Sequence, residues 1–448
     1  MTARGGCAVA LVAIALAGPL SAQDRRCQIQ IDHVDREGVS TTNFGTTASN
    51  YFAGGNVRLS CRGQKVRIWA DSIASYQGSI VQFIGSFRYE DETAKVSSDF
   101  GTYYKDSERW EARGNVHYRD TRDGSELRGP SADYYRRSRG IRELEELYAD
   151  QRPTLTLAAR DSANRPSDPY VIVADRIRMR GENLMWAGGT VTIDRSDLKG
   201  RSDSLQLDTG TGSAGALLGR ASIRRAAEDS FALAGKRIDL ALTKKELSGV
   251  TGRDSATTLT SKDLDLSAAT ISLTLVNRKV TQTLAWGKTP RPRALADEYE
   301  VRGDSLAIDT PEEQLRELRS FGGAWVGFRP DTLQGERDWL SGDSIVATFS
   351  EYVGAAGKKA ALRRLEANHS AASWYRITKA GSPGGKPSLN YARADKIVLT
   401  LTGTDSLKVE KVVMTGNVDG IQLQPQLVRA DSLRPKRDSV RPRPDGPR

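Results

Sequence analysis

Ser202-Asp203-Ser204-Leu205-Gln206-Leu207 decides how this chain folds, because its pattern returns along the whole length. A small residue, an Asp or Lys and any residue are followed by apolar residues at every second position. Copies are Ala70-Asp71-Ser72-Ile73, Ala174-Asp175-Arg176-Ile177, Gly235-Lys236-Arg237-Ile238-Asp239-Leu240 and Ser261-Lys262-Asp263-Leu264-Asp265-Leu266. Further on come Gly303-Asp304-Ser305-Leu306-Ala307-Ile308, Gly342-Asp343-Ser344-Ile345, Ala394-Asp395-Lys396-Ile397 and Ala430-Asp431-Ser432-Leu433, with weaker members at Asp99 and Asp133. A second phrase lies between them, a Gly followed by an alternating apolar pair: Gly55-Asn56-Val57-Arg58-Leu59, Gly85-Ser86-Phe87, Gly114-Asn115-Val116, Gly189-Thr190-Val191 and Gly416-Asn417-Val418. Alternation at period two with one apolar face means half-buried strands. Eleven anchors, each with two strands, predict an all-β chain of roughly twenty strands in serial two-strand repeats.

Two segments test that reading. Arg142–Ala149 and Arg316–Gly322 would be helix by propensity alone, yet each occupies a slot that is β-branched or aromatic in other units. Repeat position predicts strand in both. Pro- and Gly-rich stretches at 152–169, 288–294 and 381–387 read as loops or protruding hairpins, and a sub-boundary is expected near 288–297.

Both ends of the sequence differ from the repeat. Residues 1–22 combine a basic start, the apolar run Cys7–Leu16 and small residues up to Ala22, which reads as a secretory signal peptide. The run is too short for a spanning helix, which needs about 20 apolar residues. With the leader removed, Cys27 and Cys61 remain in an oxidising compartment, either paired as a disulfide or as two thiols; the sequence leaves both open. Residues 23–433 form the repeat domain, and the Pro- and Arg-rich stretch 434–448 reads as a disordered basic tail.

Composition narrows the function. Of 448 residues 27% are charged and 7% aromatic, with three Cys, three His and a net charge of +10. Mean hydropathy of −0.50 excludes a multi-span helical membrane protein. No arrangement of His33, His117 and His369 has metal-ligand or relay spacing, so no cofactor, metal site or catalytic residue is expected. The recurrent Asp gives way to Lys at 236 and 262, which a metal or acid role would not tolerate; a turn or strand-start residue bonding its own backbone explains it better. Nucleic acid is disfavoured as a partner by the export signal. Part of the charge is also local, with seven Lys/Arg and three Asp between Arg429 and Arg448.

Stacked units would align the apolar positions into two facing walls. One is Leu205, Leu207, Ile238, Leu240, Leu242, Leu264, Leu266, Leu306, Ile308, Ile345, Phe349, Ile397, Leu399 and Leu401; the other includes Val57, Phe87, Val116, Val191 and Val326. These residues are mostly medium-sized aliphatics, so a lengthwise cleft open to acyl chains competes with a plain dry core.

The leader, the Ala/Gly-Asp-x-Ile/Leu phrases and the Gly-Asn-Val phrases resemble the LptA/OstA family of lipopolysaccharide-transport proteins, best in Gly114-Asn115-Val116, Gly416-Asn417-Val418 and Gly303-Asp304-Ser305-Leu306. The resemblance spans roughly residues 28–433. It implies an elongated, twisted, V-shaped β-jellyroll in the periplasm that shields lipid acyl chains, with inner- and outer-membrane transport components as partners and end-to-end stacking of copies. The chain is longer than a small bridge protein of that family and lacks the C-terminal barrel of its outer-membrane member. Lys236 and Lys262 become candidate contacts to headgroup phosphates. The rival expectations are an exported β-solenoid scaffold or adhesion protein, a transmembrane β-barrel and a polysaccharide-processing enzyme.

Overall fold

The computed structural model describes residues 26–40, 50–160, 165–210, 213–225, 231–243, 246–254, 257–261, 264–328, 337–354, 357–377, 388–403 and 408–424. The leader, the tail, Lys262, the 381–387 stretch and the Asp431 phrase lie outside them. Among the described residues the protein is all-β: thirty strands, every pairing antiparallel, and a single 3-10 turn at Pro311–Glu313. The chain divides into two compact units, residues up to 290 with 311–313, and 291–310 with 314 onward.

In the first unit, strands Asn50–Cys61, Arg67–Tyr76, Ile80–Glu90, Ala94–Tyr104, Arg109–Asp120 and Glu126–Tyr135 pair each with the next. The same serial addition runs from Leu184–Arg195 through Leu198–Asp208 and Ala214–Arg225 to Ala232–Thr243. In the second unit it runs from Glu317–Phe328 through Trp339–Gly354 and Gly357–Ile377 to Ser388–Thr402. The strand count exceeds the expected twenty because, in each unit, several runs are broken in two at a line across the strands. Ile29–His33 with Arg36–Ser40, and Tyr299–Arg302 with Ser305–Asp309, are such halves.

That line is built by the two sequence phrases together. At Gly55-Asn56, Gly85-Ser86, Gly114-Asn115, Gly189-Thr190, Gly219-Arg220, Gly322-Gly323 and Gly416-Asn417, both residues take positive φ. Where these pairs lie within a strand, the register skips them: two residues oppose one, which is a β-bulge that bends the strand. The aspartate of the preceding phrase (Asp35, Asp71, Asp99, Asp175, Asp203, Asp304 and Asp395 in turn) packs its carboxylate on the glycine, so close that an added Cβ would fall within 3.0 Å of it. At four of these corners the carboxylate also accepts a hydrogen bond from the side chain of the second bulge residue: Asn115 Nδ2 at 2.8 Å, Arg220 Nη2 at 2.7 Å, Ser86 Oγ at 3.2 Å and Asn417 Nδ2 at 3.0 Å. The recurrent Asp is therefore a cross-strand corner residue, not one bonding its own backbone. Local turn chemistry could not show this, because its partner lies on the neighbouring strand.

Residues 142–145 are irregular and strand begins at Glu146–Asp150, so the expected strand in that slot forms over its second half. Glu317–Phe328 is strand, as repeat position required. The 152–169 stretch is a hairpin, with strands Thr154–Arg160 and Pro166–Val173 paired.

Candidate functional site

Within each unit, alternate residues of most strands are buried, and successive layers place them in register. In the first unit Ala187, Leu205, Leu217 and Ile238 oppose one another across four strands. All four are buried, as are Val57, Phe87, Val116, Val191, Leu240, Leu264 and Leu266. Leu207 and Leu242 are half-buried. In the second unit the row Ile308, Leu318, Ala347, Leu365, Leu399 climbs one strand at a time, roughly 4.8 Å per step. Leu306, Val326, Ile345, Phe349, Ile397 and Leu401 are buried beside it. Residues before the corner meet residues after it: Tyr299, in Tyr299–Arg302, packs on Phe349, in Trp339–Gly354, with ring centroids 5.9 Å apart.

The interior is not uniform. Aromatic residues are few in the chain but concentrated between Phe83 and Tyr134. Trp110 stacks on Tyr103 at 4.3 Å and lies 4.7 Å from Tyr89 and 5.8 Å from Phe83. The void left among Phe87, Tyr89, Trp110, Tyr118, Tyr134 and their aliphatic neighbours is about 10 Å³, at the lower limit for one water, and its lining is apolar. Burial pushes the Tyr89 and Tyr134 hydroxyls up, so they stay neutral. Here the interior is filled, and Phe87 lines what void remains.

The same stretch is sealed at its N-terminal side. Cys27 and Cys61 are bonded, with Cα atoms 5.1 Å apart, and both are buried. Cys27 N–H donates to Glu108 Oε1 at 2.8 Å, as does Tyr103 O–H at 3.0 Å. Arg136 pairs with the other Glu108 oxygen at 3.4 Å and donates to Gln64 at 2.7 Å. The sequence showed the two cysteines but not Glu108 or Arg136, whose partners come from distant strands.

The second unit changes in the opposite sense. One row runs Val301, Val326, Leu340, Ser373, Ala392, Gly420, so its side chains are large as far as Leu340 and small from Ser373 onward. Ser373 is buried and its hydroxyl has no hydrogen-bond partner. In the final layer, Lys408–Thr415 and Asp419–Leu423, Val409 is 45% and Val418 57% exposed, whereas Leu401, opposite Val409, is 2% exposed.

Lys236 is exposed and opposes the Gly219-Arg220 bulge, on the corner line. Among the described residues, no group of three or more His, Cys, Asp or Glu is placed to hold a metal, and no helix is long and apolar enough to cross a membrane. His117 pairs with Glu126 at 3.1 Å on the outer face. No protein-family model matches the sequence, and no curated protein matches it.

Proposed function

We propose that the chain is an exported, periplasmic lipid-binding protein that carries lipopolysaccharide or a related glycolipid toward the outer membrane. The lipid's acyl chains would lie in the apolar interior, and transport components of the two membranes would be its partners. The observation that carries this reading is the asymmetry of the second unit. One wall keeps Ile308, Leu318, Leu365 and Leu399, while the other thins to Ser373, Ala392 and Gly420 toward a last layer with exposed valines. Small residues beside a ladder of large aliphatics leave room for an unbranched chain, whose burial is worth about 0.8 kcal/mol per CH₂. Even steps along the ladder give every level similar burial, so a chain can slide without a deep trap. The unpartnered Ser373 hydroxyl is a buried donor that a polar group on such a chain could satisfy.

A second reading, an exported scaffold with a dry core, is favoured by the filled aromatic stretch of the first unit. The two readings are separated by a photo-crosslinking residue placed at Leu306, Leu399 or Ala392, with Arg393 as the outward control. Lipid transport expects lipopolysaccharide adducts at the inward positions in growing cells. Adducts at Arg393 alone, or at none of the four, would leave the scaffold.

A further inference from the structure

On the outer face of the second unit, Glu300 is surrounded by three arginines. Arg293 Nε donates to its Oε1 at 2.6 Å, Arg302 Nε to the same oxygen at 2.5 Å, and Arg337 Nη1 to Oε2 at 2.6 Å. The Glu300 side chain is 1% exposed, while the three arginine side chains remain 40–52% exposed. Burial works against the Glu300 charge, but the hydrogen bonds from Arg293, Arg302 and Arg337 outweigh it and hold the carboxyl at about 2, against an ordinary 4.5.

Three features set this cluster apart from the ion pairs around it. Its stoichiometry is three cations to one anion, whereas Arg291 pairs with Asp304, and Arg376 with Asp338, one to one. Arg293 and Arg302 are direct cross-strand partners, a like-charge pairing that costs stability when it stands alone. Elsewhere a carboxylate held by two arginines is more open: Glu146, held by Arg178 and Arg180, is 16% exposed. A fold that needed only to neutralise Glu300 would need one arginine. Gathering three, at the expense of repulsion, fits a carboxylate that orients guanidinium groups for another anion.

The geometry suits that role. The Arg293 and Arg302 side chains use Nε toward Glu300 and make no other hydrogen bond among the described residues, so their terminal nitrogens are left for a second acceptor. Arg302 is steadied against the Trp325 ring, 5.0 Å from its centroid. Of the acids beside the cluster in sequence, Asp304 pairs with Arg291 and Asp338 with Arg376, while Asp297 and Glu298 precede the strand Tyr299–Arg302. Forked donors around one point match the oxygens of a phosphate group better than those of a single planar carboxylate.

We propose that Arg293, Arg302 and Arg337, oriented by Glu300, form a binding site for a phosphate group, carried either by a lipid headgroup or by a soluble molecule. The site lies on the outer face and does not depend on the interior binding lipid.

The test measures the full chain by calorimetry against inorganic phosphate and by flotation with phosphatidylcholine vesicles, with and without phosphatidic acid. The double variant Arg293→Gln/Arg302→Gln removes two charge-assisted donors and should weaken phosphate binding by at least tenfold. Arg337→Gln leaves two arginines on Glu300, so the strand pairing survives, and should weaken binding several-fold. Arg364→Gln, a 52% exposed arginine paired with Glu366 in the same unit, removes equal charge and should leave binding unchanged. Arginine-dependent flotation only with phosphatidic acid assigns the headgroup; arginine-dependent phosphate binding without flotation assigns a soluble source. The proposal is overturned if the wild-type chain binds neither probe, or if Arg364→Gln weakens binding as much as Arg337→Gln does.

Discussion

Replacing Gly114 by Ala tests the corner that organises the fold. Gly114 has φ +76°, and a Cβ there would meet the Asp99 carboxylate, which also accepts a 2.8 Å hydrogen bond from Asn115. The left-handed backbone costs an alanine about 1–2 kcal/mol. Displacing Asp99 forfeits a charged hydrogen bond worth about 1.5–3 kcal/mol. The stiffer unfolded chain returns about 0.4–1 kcal/mol, which leaves a net loss of about 2–4 kcal/mol. Gly78, in the turn between Arg67–Tyr76 and Ile80–Glu90, is the control: φ is +68° but nothing lies within 4 Å, so Gly78→Ala should lose only about 1 kcal/mol. Hydrogen exchange on Ala94–Tyr104 and Arg109–Asp120 reads the effect strand by strand, as a protection loss of about 30- to 1,000-fold for Gly114→Ala. In an Asp99→Ala background the same substitution should fall to the Gly78 value, because the clash has gone. Equal losses for Gly114→Ala with and without Asp99 would refute the corner.

Other consequences follow from the buried groups. The Cys27–Cys61 bond closes a separation of 34 residues, so Cys27→Ser/Cys61→Ser should cost the first unit about 3–4 kcal/mol, read as a lower thermal midpoint. Because Glu300 is held at about 2 against 4.5, its ion pairs contribute fully above pH 4.5 and are lost as pH falls toward 2. Exchange at Tyr299–Arg302 should accelerate through that window, and Glu300→Gln should remove the dependence.

The all-β class and the inward residues were legible because period two is local: each of Leu205, Ile238, Leu306 and Leu399 declares its face through its neighbours two positions away. The corner was legible only in halves. Asp99 and Gly114-Asn115 each recur as phrases, but their contact spans two strands, and nothing in either phrase names the other. Gly219-Arg220 went unrecognised for a simpler reason, since Ala221 stands where most of the other bulges have a valine or phenylalanine. The filled stretch was missed because low overall aromatic content hides clustering: Phe83, Phe87, Tyr89, Tyr103 and Trp110 lie close in sequence, and only the bend brings them face to face. Glu300 carries no pattern at all, because Arg293, Arg302 and Arg337 reach it from different strands and loops.

One bulge breaks the sequence rule and gives the corner its strictest test. In Gly357–Ile377 the register skips between Asn368 and Ala371, and the two skipped residues, His369 and Ser370, have φ 56° and 49°. A histidine thus stands where seven other bulges have glycine. The aspartate of the preceding phrase at this bulge is Asp343. His369→Gly relieves about 1–2 kcal/mol of left-handed strain and adds about 0.5–1 kcal/mol of unfolded-state entropy, so backbone terms alone give a gain near 0.5–1 kcal/mol. If the glycine also admits the Asp343 carboxylate, Ser370 gains the acceptor that Ser86 has in Asp71, and the total rises by about 1 kcal/mol more. That second increment should vanish in an Asp343→Ala background. Slower exchange in Trp339–Gly354 and Gly357–Ile377, dependent on Asp343, would show that carboxylate and glycine act as one device. A loss of protection in His369→Gly would mean that this bulge is held by something other than the Asp–Gly contact.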